Sequence, residues 1–238
     1  METIVQGLWI GAELSAMERL SIASFLANGH AYHLYVYDEV KRIPEGAVVL
    51  DANEILPSSS IFRYSHSKSY AGFANFFRYK LLMEKGGWWV DSDIVCLKPF
   101  SFRSKYVFAS ETNGEGAQVA TSGVIKAPAS SEAMTHAWQT CNSKDAASLK
   151  WGETGPRLVG ETIRLFSLEK HLKPSRVFCP LGYLEWSKVL EPRARFGFGR
   201  GTYAVHLWNE MWSREGRDKD GRYHPDCLYE RLKRKYPA

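Results

Sequence analysis

The sequence predicts an α/β fold built on a parallel sheet, and three observations carry that expectation. The chain opens with a short apolar strand, an amphipathic helix and a second apolar strand, the order that builds parallel sheets. From Ala71 to Phe100 the run AGFANFFRYKLLMEKGGWWVDSDIVCLKPF reads as a helix, a glycine break, a buried strand and two aspartates one residue apart. A length of 238 residues, 45% hydrophobic and 24% charged, supplies a substantial core in one mixed domain.

In order, Ile4 to Ile10 reads as the first strand and ends at Gly11. Leu14 to Leu26 follows as a helix with Leu14, Met17, Leu20 and Phe25 among its apolar positions, closed by Asn28-Gly29. His33 to Tyr37 and Val48 to Leu50 are the next strands. Ligands gather at the carboxyl ends of parallel strands, which places Trp9, Gly11 and Asp38 on the ligand side. In the central helix Phe73, Phe76, Phe77 and Leu81 share an apolar face, while Asn75 and Arg78 lie together on another stripe. Gly86-Gly87 stops that helix, because glycine tolerates the left-handed conformation. Trp88-Trp89-Val90 then delivers Asp91-Ser92-Asp93, with alternation sending both aspartates to one side.

Tyr106 to Ser110 and Val119 to Ile125 are further strand candidates, the second broken by Thr121-Ser122-Gly123. Glu132 to Cys141 and Arg157 to Phe166 read as helices, the latter opened by the turn-forming loop Trp151 to Pro156. Ala204 to Trp208 is a last strand, and Pro225 to Tyr236 a basic terminal helix. The polar stretch Ser213 to Arg222 reads as a mobile loop.

The chemistry concentrates at Asp91-Ser92-Asp93. An Asp-x-Asp alone is commonly a solvated turn, but a Trp-Trp-Val strand has no structural reason to end in two like charges. Two carboxylates beside an arginine make a place for a divalent cation and a phosphate-bearing ligand. The net charge of +5 suits an anionic substrate or an acidic surface and is too diffuse to indicate nucleic acid. Cys96, Cys141, Cys179 and Cys227 form no C-x-x-C pair, which argues against zinc and fits a reducing compartment. The first residues lack the basic region of a secretory signal, and no apolar run approaches a membrane span.

The combination of Leu8-Trp9-Ile10-Gly11, the Asn75-x-x-Arg78 helix, Gly86-Gly87 and Asp91-Ser92-Asp93 resembles glycosyltransferase family 32. That group includes α-1,4-galactosyltransferases, mannosyltransferases and capsular polysaccharide transferases. A more distant likeness is to the catalytic domains of glucosylating bacterial toxins. Trp151 to Pro156 and His206-Leu207-Trp208-Asn209 resemble later family elements.

The resemblance implies one GT-A domain over residues 1–238, a mixed, mostly parallel sheet flanked by helices, with the part from about residue 200 completing the active site. It implies a UDP-sugar donor, a saccharide acceptor, Mn²⁺ or Mg²⁺, and retention of anomeric configuration. Trp9, with Ile10 and Gly11, would take the uracil, while Arg78 and Asn75 would face the donor sugar. Asp91 would lie near ribose and metal, Asp93 would be a direct metal ligand, and His206 would sit near the metal. The family pattern usually has Asp where this chain has Asn75, so donor identity is the part that the departure affects. The scattered cysteines and the acidic, signal-free start point to a cytoplasmic setting, with the basic run Arg231 to Lys235 either a solvated helix end or a contact with an anionic membrane at its inner face.

Other readings of the same residues remain open at this stage. Trp9 also reads as a core aromatic, and His206 as a buried, satisfied histidine. Glu153 either orients an acceptor or caps a turn. Asp91-Ser92-Asp93-Ile94-Val95 also satisfies the opening motif of haloacid-dehalogenase-type phosphatases, but the only close acids downstream, Asp218 and Asp220, follow no strand. A non-catalytic sugar-binding protein that uses its tryptophans as platforms is the remaining alternative.

Overall fold

The computed structural model describes residues 3–65 and 67–238. β1 (Thr3–Trp9) leads to α1 (Ala16–Ala27), then β2 (His30–Val36) and β3 (Val48–Asp51). α2 (Ala71–Glu84) is followed by β4 (Gly87–Val90), β5 (Ile94–Cys96), β6 (Val107–Thr112) and β7 (Gln118–Ala127). The remainder comprises α3 (Glu132–Asn142), α4 (Leu158–Leu165), β8 (Ala204–His206), α5 (Asn209–Arg214) and α6 (Leu228–Lys235). The main sheet runs β3-β2-β1-β4-β7-β6, and β5 pairs with β8 in a small second sheet. β3, β2, β1 and β4 are mutually parallel; β7 is antiparallel to both β4 and β6. The expected mixed, mostly parallel sheet is therefore present, with the antiparallel strands at one edge.

Local chemistry accounts for the element ends. The first helix begins at Ala16, two residues later than its apolar pattern predicts. Ser15 caps it: Met17 N donates to Ser15 Oγ at 3.2 Å and Ser15 N donates to Glu18 Oε2 at 2.8 Å, a reciprocal capping box. At the other end of the central element, Gly86 and Gly87 take φ of 65° and 88°, which turn α2 directly into β4. Trp88 and Trp89 are both 2% exposed and face opposite sides of the sheet. Trp89 joins the core formed with α2, α3 and α4, while Trp88 joins the core that includes Phe25 of α1, Phe100 and Phe178. A strand anchored on both faces holds its carboxyl end, and the aspartates that follow, in a fixed place.

Three expectations change. β7 is continuous rather than broken at Thr121-Ser122-Gly123. The irregularity falls instead in its pairing with β6, where Ala109 alone stands opposite the four residues 121–124. β8 ends at His206 and not at Trp208, because Trp208 adopts a left-handed conformation (φ 60°) that no strand accepts. The stretch from Ser213 to Arg222 is tied down rather than free. Lys219 Nζ reaches Glu18 Oε1 at 2.6 Å, and Asp220 accepts from Ala16 N at 2.9 Å and from Arg42 Nη2 at 3.1 Å. All four cysteines are buried free thiols. Among the described residues, no helix is long and apolar enough to cross a membrane.

A Cβ at Gly86 would lie 2.3 Å from the backbone nitrogen of Ala129, in a left-handed residue. Gly86→Ala is expected to destabilise the fold by about 2–4 kcal/mol, the combined scale of left-handed strain and overpacking, read as a lower midpoint in urea unfolding.

Candidate active site

The site is assembled at the carboxyl end of β4. Gln6 of β1 stands opposite Trp89, so the end of β1 lies beside the turn that carries Asp91 and Asp93. The two aspartates converge through that turn, closed by Ile94 N donating to Asp91 O at 3.0 Å, rather than through strand alternation. The carboxylates of Asp91 and Asp93 and the imidazole of His206 each offer one ligating atom, all within 4.8 Å of one another. β5 and β8 bring His206 there, since Ile94 pairs with His206.

Each carboxylate has its own cationic partner. Asp91 Oδ1 accepts from Arg78 Nη2 at 2.5 Å and from the Trp89 indole at 2.8 Å. The Arg78 guanidinium lies 4.9 Å from the centre of the Trp89 ring, and its other terminal nitrogen donates to Asn75 Oδ1 at 2.5 Å. Asn75 in turn donates to Thr154 Oγ1 at 3.2 Å, and Tyr79 OH donates to Thr154 O at 2.9 Å. Asn75 and Arg78 are 5% and 3% exposed, so both lie behind Asp91.

Asp93 Oδ2 accepts from Asn209 N at 2.7 Å and pairs with His206 Nε2 at 3.1 Å. Burial alone would raise the Asp93 carboxyl, but the imidazole charge and these hydrogen bonds outweigh it and hold the group below the usual carboxylate range. Burial would likewise lower His206, yet Asp93 lifts it well above the ordinary histidine value. Behind the ring, Cys179 Sγ lies 3.9 Å from Nδ1, and Trp208 stacks on the imidazole at 3.8 Å with its indole donating to Leu181 O at 3.0 Å.

Trp9 is half-buried at the end of β1, its ring folded against Gly11 and 5.5 Å from Lys219 Nζ, with Ile10 half-buried beside it. Glu153 accepts from Lys144 Nζ at 2.8 Å and Lys150 N at 3.1 Å, which ties its carboxylate into its own loop. Asp218 and Asp220 lie in the loop tethered to α1, with Asp220 bonded to Ala16 and Arg42. The acid pair that a phosphatase would need is therefore committed elsewhere.

Residue patterns missed several members of this site. Asn209 Oδ1 is buried with no hydrogen-bond partner among the described residues, on the residue whose backbone binds Asp93. Gly123 keeps the space in front of Asp91 open, since a Cβ there would lie 3.3 Å from Asp91 Oδ2 and 3.5 Å from His206 Cε1. Gly155 does the same beside Asn75, where a Cβ would lie 3.3 Å from Nδ2. These residues carry no charge or periodic pattern, and they reach the site from distant positions in the chain. Two carboxylates and an imidazole beside the gap that Gly123 keeps open form a donor set that fits a divalent cation.

Residues 16–113 match the family described as glycosyltransferase sugar-binding region containing DXD motif, which covers the central helix, Asp91 and Asp93. A search of curated proteins found no match. Among solved structures, the chain is similar to the PaToxG glycosyltransferase, at a TM-score of 0.50 and 14% identity over 69% of each chain. It is also similar to the apo form of the glycosyltransferase GlyE of Streptococcus pneumoniae TIGR4 (TM-score 0.41, 12% identity, 74% of this chain and 46% of that one). A further similarity is to the catalytic domain of alpha-toxin from Clostridium novyi (TM-score 0.38, 7% identity, 100% of this chain and 76% of that one). The architecture is the GT-A fold of glycosyltransferases, and the resemblance drawn from the sequence holds.

Removing one partner of a buried ion pair leaves the other charge uncompensated. Arg78→Met is expected to destabilise the protein by about 2–3 kcal/mol, less than for a fully enclosed pair because Asp91 keeps some solvent contact; chemical denaturation measures it.

Proposed function

We propose that the chain is a retaining glycosyltransferase that moves a hexosyl group from a UDP-sugar to a saccharide acceptor. The observation that carries this reading is the convergence of Asp91, Asp93 and His206 within 4.8 Å at the end of β4, with the backbone of Asn209 bonded to Asp93. On this reading Asp91, Asp93, His206 and Asn209 hold a divalent cation. One imidazole among oxygen donors favours Mn²⁺ over Mg²⁺. The bound cation supplies a Lewis acid that stabilises the leaving diphosphate without a proton.

The protein's own residues do the remaining work. Arg78 is a positioning residue: it fixes the orientation of Asp91 and offsets the repulsion between two neighbouring carboxylates. Asn75 holds Arg78 from below and is linked through Thr154 to the loop before α4. A carboxylate at position 75 would compete with Asp91 for the guanidinium, whereas the amide leaves the arginine charge to Asp91. Trp9, Ile10 and Gly11 form the edge that receives the uracil. The segment from about residue 200 completes the site through His206 and Asn209, so residues 1–238 act as one GT-A domain.

In the transfer step the bond between the anomeric carbon and the β-phosphate oxygen breaks, and a bond to an acceptor hydroxyl oxygen forms on the same face. The acceptor proton passes to a phosphate oxygen of the departing UDP, which leaves no need for a protein nucleophile.

The test is thermal shift and donor hydrolysis across UDP-glucose, UDP-galactose and their N-acetyl forms, with and without Mn²⁺. Stabilisation and hydrolysis that require the metal support the enzyme. Stabilisation by sugars without any hydrolysis supports a non-catalytic sugar-binding protein instead. Asp93→Asn is expected to abolish turnover in a folded protein, and near-normal turnover would remove Asp93 from the metal site. Trp9→Ala is expected to weaken UDP binding by about 1–3 kcal/mol by calorimetry, the range for an aromatic ring stacked on a base. Unchanged UDP affinity would return Trp9 to the core.

A further inference from the structure

One half-buried acid is left unused by this chemistry. Glu111 stands near the end of β6, and strand alternation puts it on the face that carries Val107 and Ala109. Those two residues pack in the same core as Phe178 and Cys179, and Cys179 touches the imidazole of His206. Glu111 Oε2 is buried, yet it has no hydrogen-bond partner among the described residues. A buried carboxyl oxygen without a partner is costly, and such an oxygen beside a ligand site is most economically explained by a ligand that completes it. Burial lifts the Glu111 carboxyl above its ordinary value, with the His206 charge acting the other way. In either protonation state a carboxyl accepts a hydrogen bond from a sugar hydroxyl.

The surroundings of Glu111 have the same character. The segment after Cys179 runs along the end of β6, since a Cβ at Gly182 would lie 3.1 Å from Thr112 O. It presents Tyr183, whose ring packs edge-on to Trp208 at 6.3 Å and whose hydroxyl sits against Gly114 of the β6–β7 turn. Both rings are only half-buried. This wall lies on the β6 side of the His206 cluster. The edge assigned to the uracil lies on the β1 side, so the sheet order separates the two.

We propose that Glu111, Tyr183 and Trp208 form the subsite for the acceptor saccharide, with Glu111 hydrogen-bonding an acceptor hydroxyl and the aromatic pair packing on the sugar ring. The proposal deepens the transferase reading and rests on it for the identity of the reaction, though the binding itself is measured without turnover.

Saturation-transfer NMR on the whole chain with a panel of methyl α- and β-hexosides tests it directly. Glu111→Leu removes the hydrogen-bonding group and leaves no buried polar atom unpaired, whereas Glu111→Gln keeps a donor and an acceptor. Binding is expected in the wild type and in Glu111→Gln, weakened by about tenfold to a hundredfold in Glu111→Leu and similarly lowered in Tyr183→Ala. UDP-sugar hydrolysis in the same variants is expected to stay within about twofold of wild type. The proposal is overturned if no hexoside binds the wild type or if Glu111→Leu binds as well as Glu111→Gln. An equal loss of donor hydrolysis in Glu111→Leu would also overturn it, since the residue would then serve the donor side. A wild type that binds hexosides but hydrolyses no UDP-sugar leaves the subsite standing and refutes the transferase reading instead.

Discussion

Two carboxylates have to be held side by side at the end of one strand, and the structure answers that constraint with a separate cation for each. Arg78, one helix earlier, takes Asp91; His206, contributed from more than a hundred residues away, takes Asp93. The second pairing also has a pH signature in the metal-free chain. A lowered Asp93 contributes stability above its unfolded value near 3.8 and loses it as pH falls through the folded value. A raised His206 contributes below 6.5 and loses it as pH rises through its folded value. The pair therefore stabilises the fold most fully between about 4 and 6.5.

Much of the architecture follows from holding those two groups still. β4 is four residues long, and it is fixed by a tryptophan buried on each face. α2 enters it through two left-handed glycines, so the position of Arg78 relative to Asp91 is set within one continuous segment. The C-terminal part is joined to this segment in two ways. β8 pairs with β5 immediately after the aspartates, and Asn209 N and Leu207 N both bind Asp93. The loop after α5 is clasped to α1 by Glu18 and Ala16, which keeps the closing segment against the first half of the sheet. The chain thus brings its first, central and last parts to one point.

The central unit was legible because its information is local. Helical spacing placed Asn75 beside Arg78, the double glycine marked the stop, and an apolar strand ending in two acids marked the site. His206 came only from resemblance, since a histidine within AVHLW has no pattern that separates a ligand from a core residue. Asn209, Gly123 and Glu111 were illegible for a related reason: their roles depend on which distant residues they meet. The two misread boundaries have similar causes. Trp208 looks like a strand residue until its left-handed backbone is seen, and Ser213 to Arg222 looks mobile until its partners on α1, some two hundred positions earlier, are known. Helical spacing likewise did not show that Asn75 and Arg78 are buried, with Arg78 bonded to both Asn75 and Asp91.

The most direct measurement is a crystal structure of the protein with UDP and Mn²⁺, using the anomalous signal of manganese to locate the ion. One strong peak is expected, ligated by Asp91, Asp93 and His206, with Asn209 Oδ1 and diphosphate oxygens completing its shell and the uracil at Trp9. An ion held elsewhere, or a nucleotide bound with no metal between its phosphates and these residues, would contradict it.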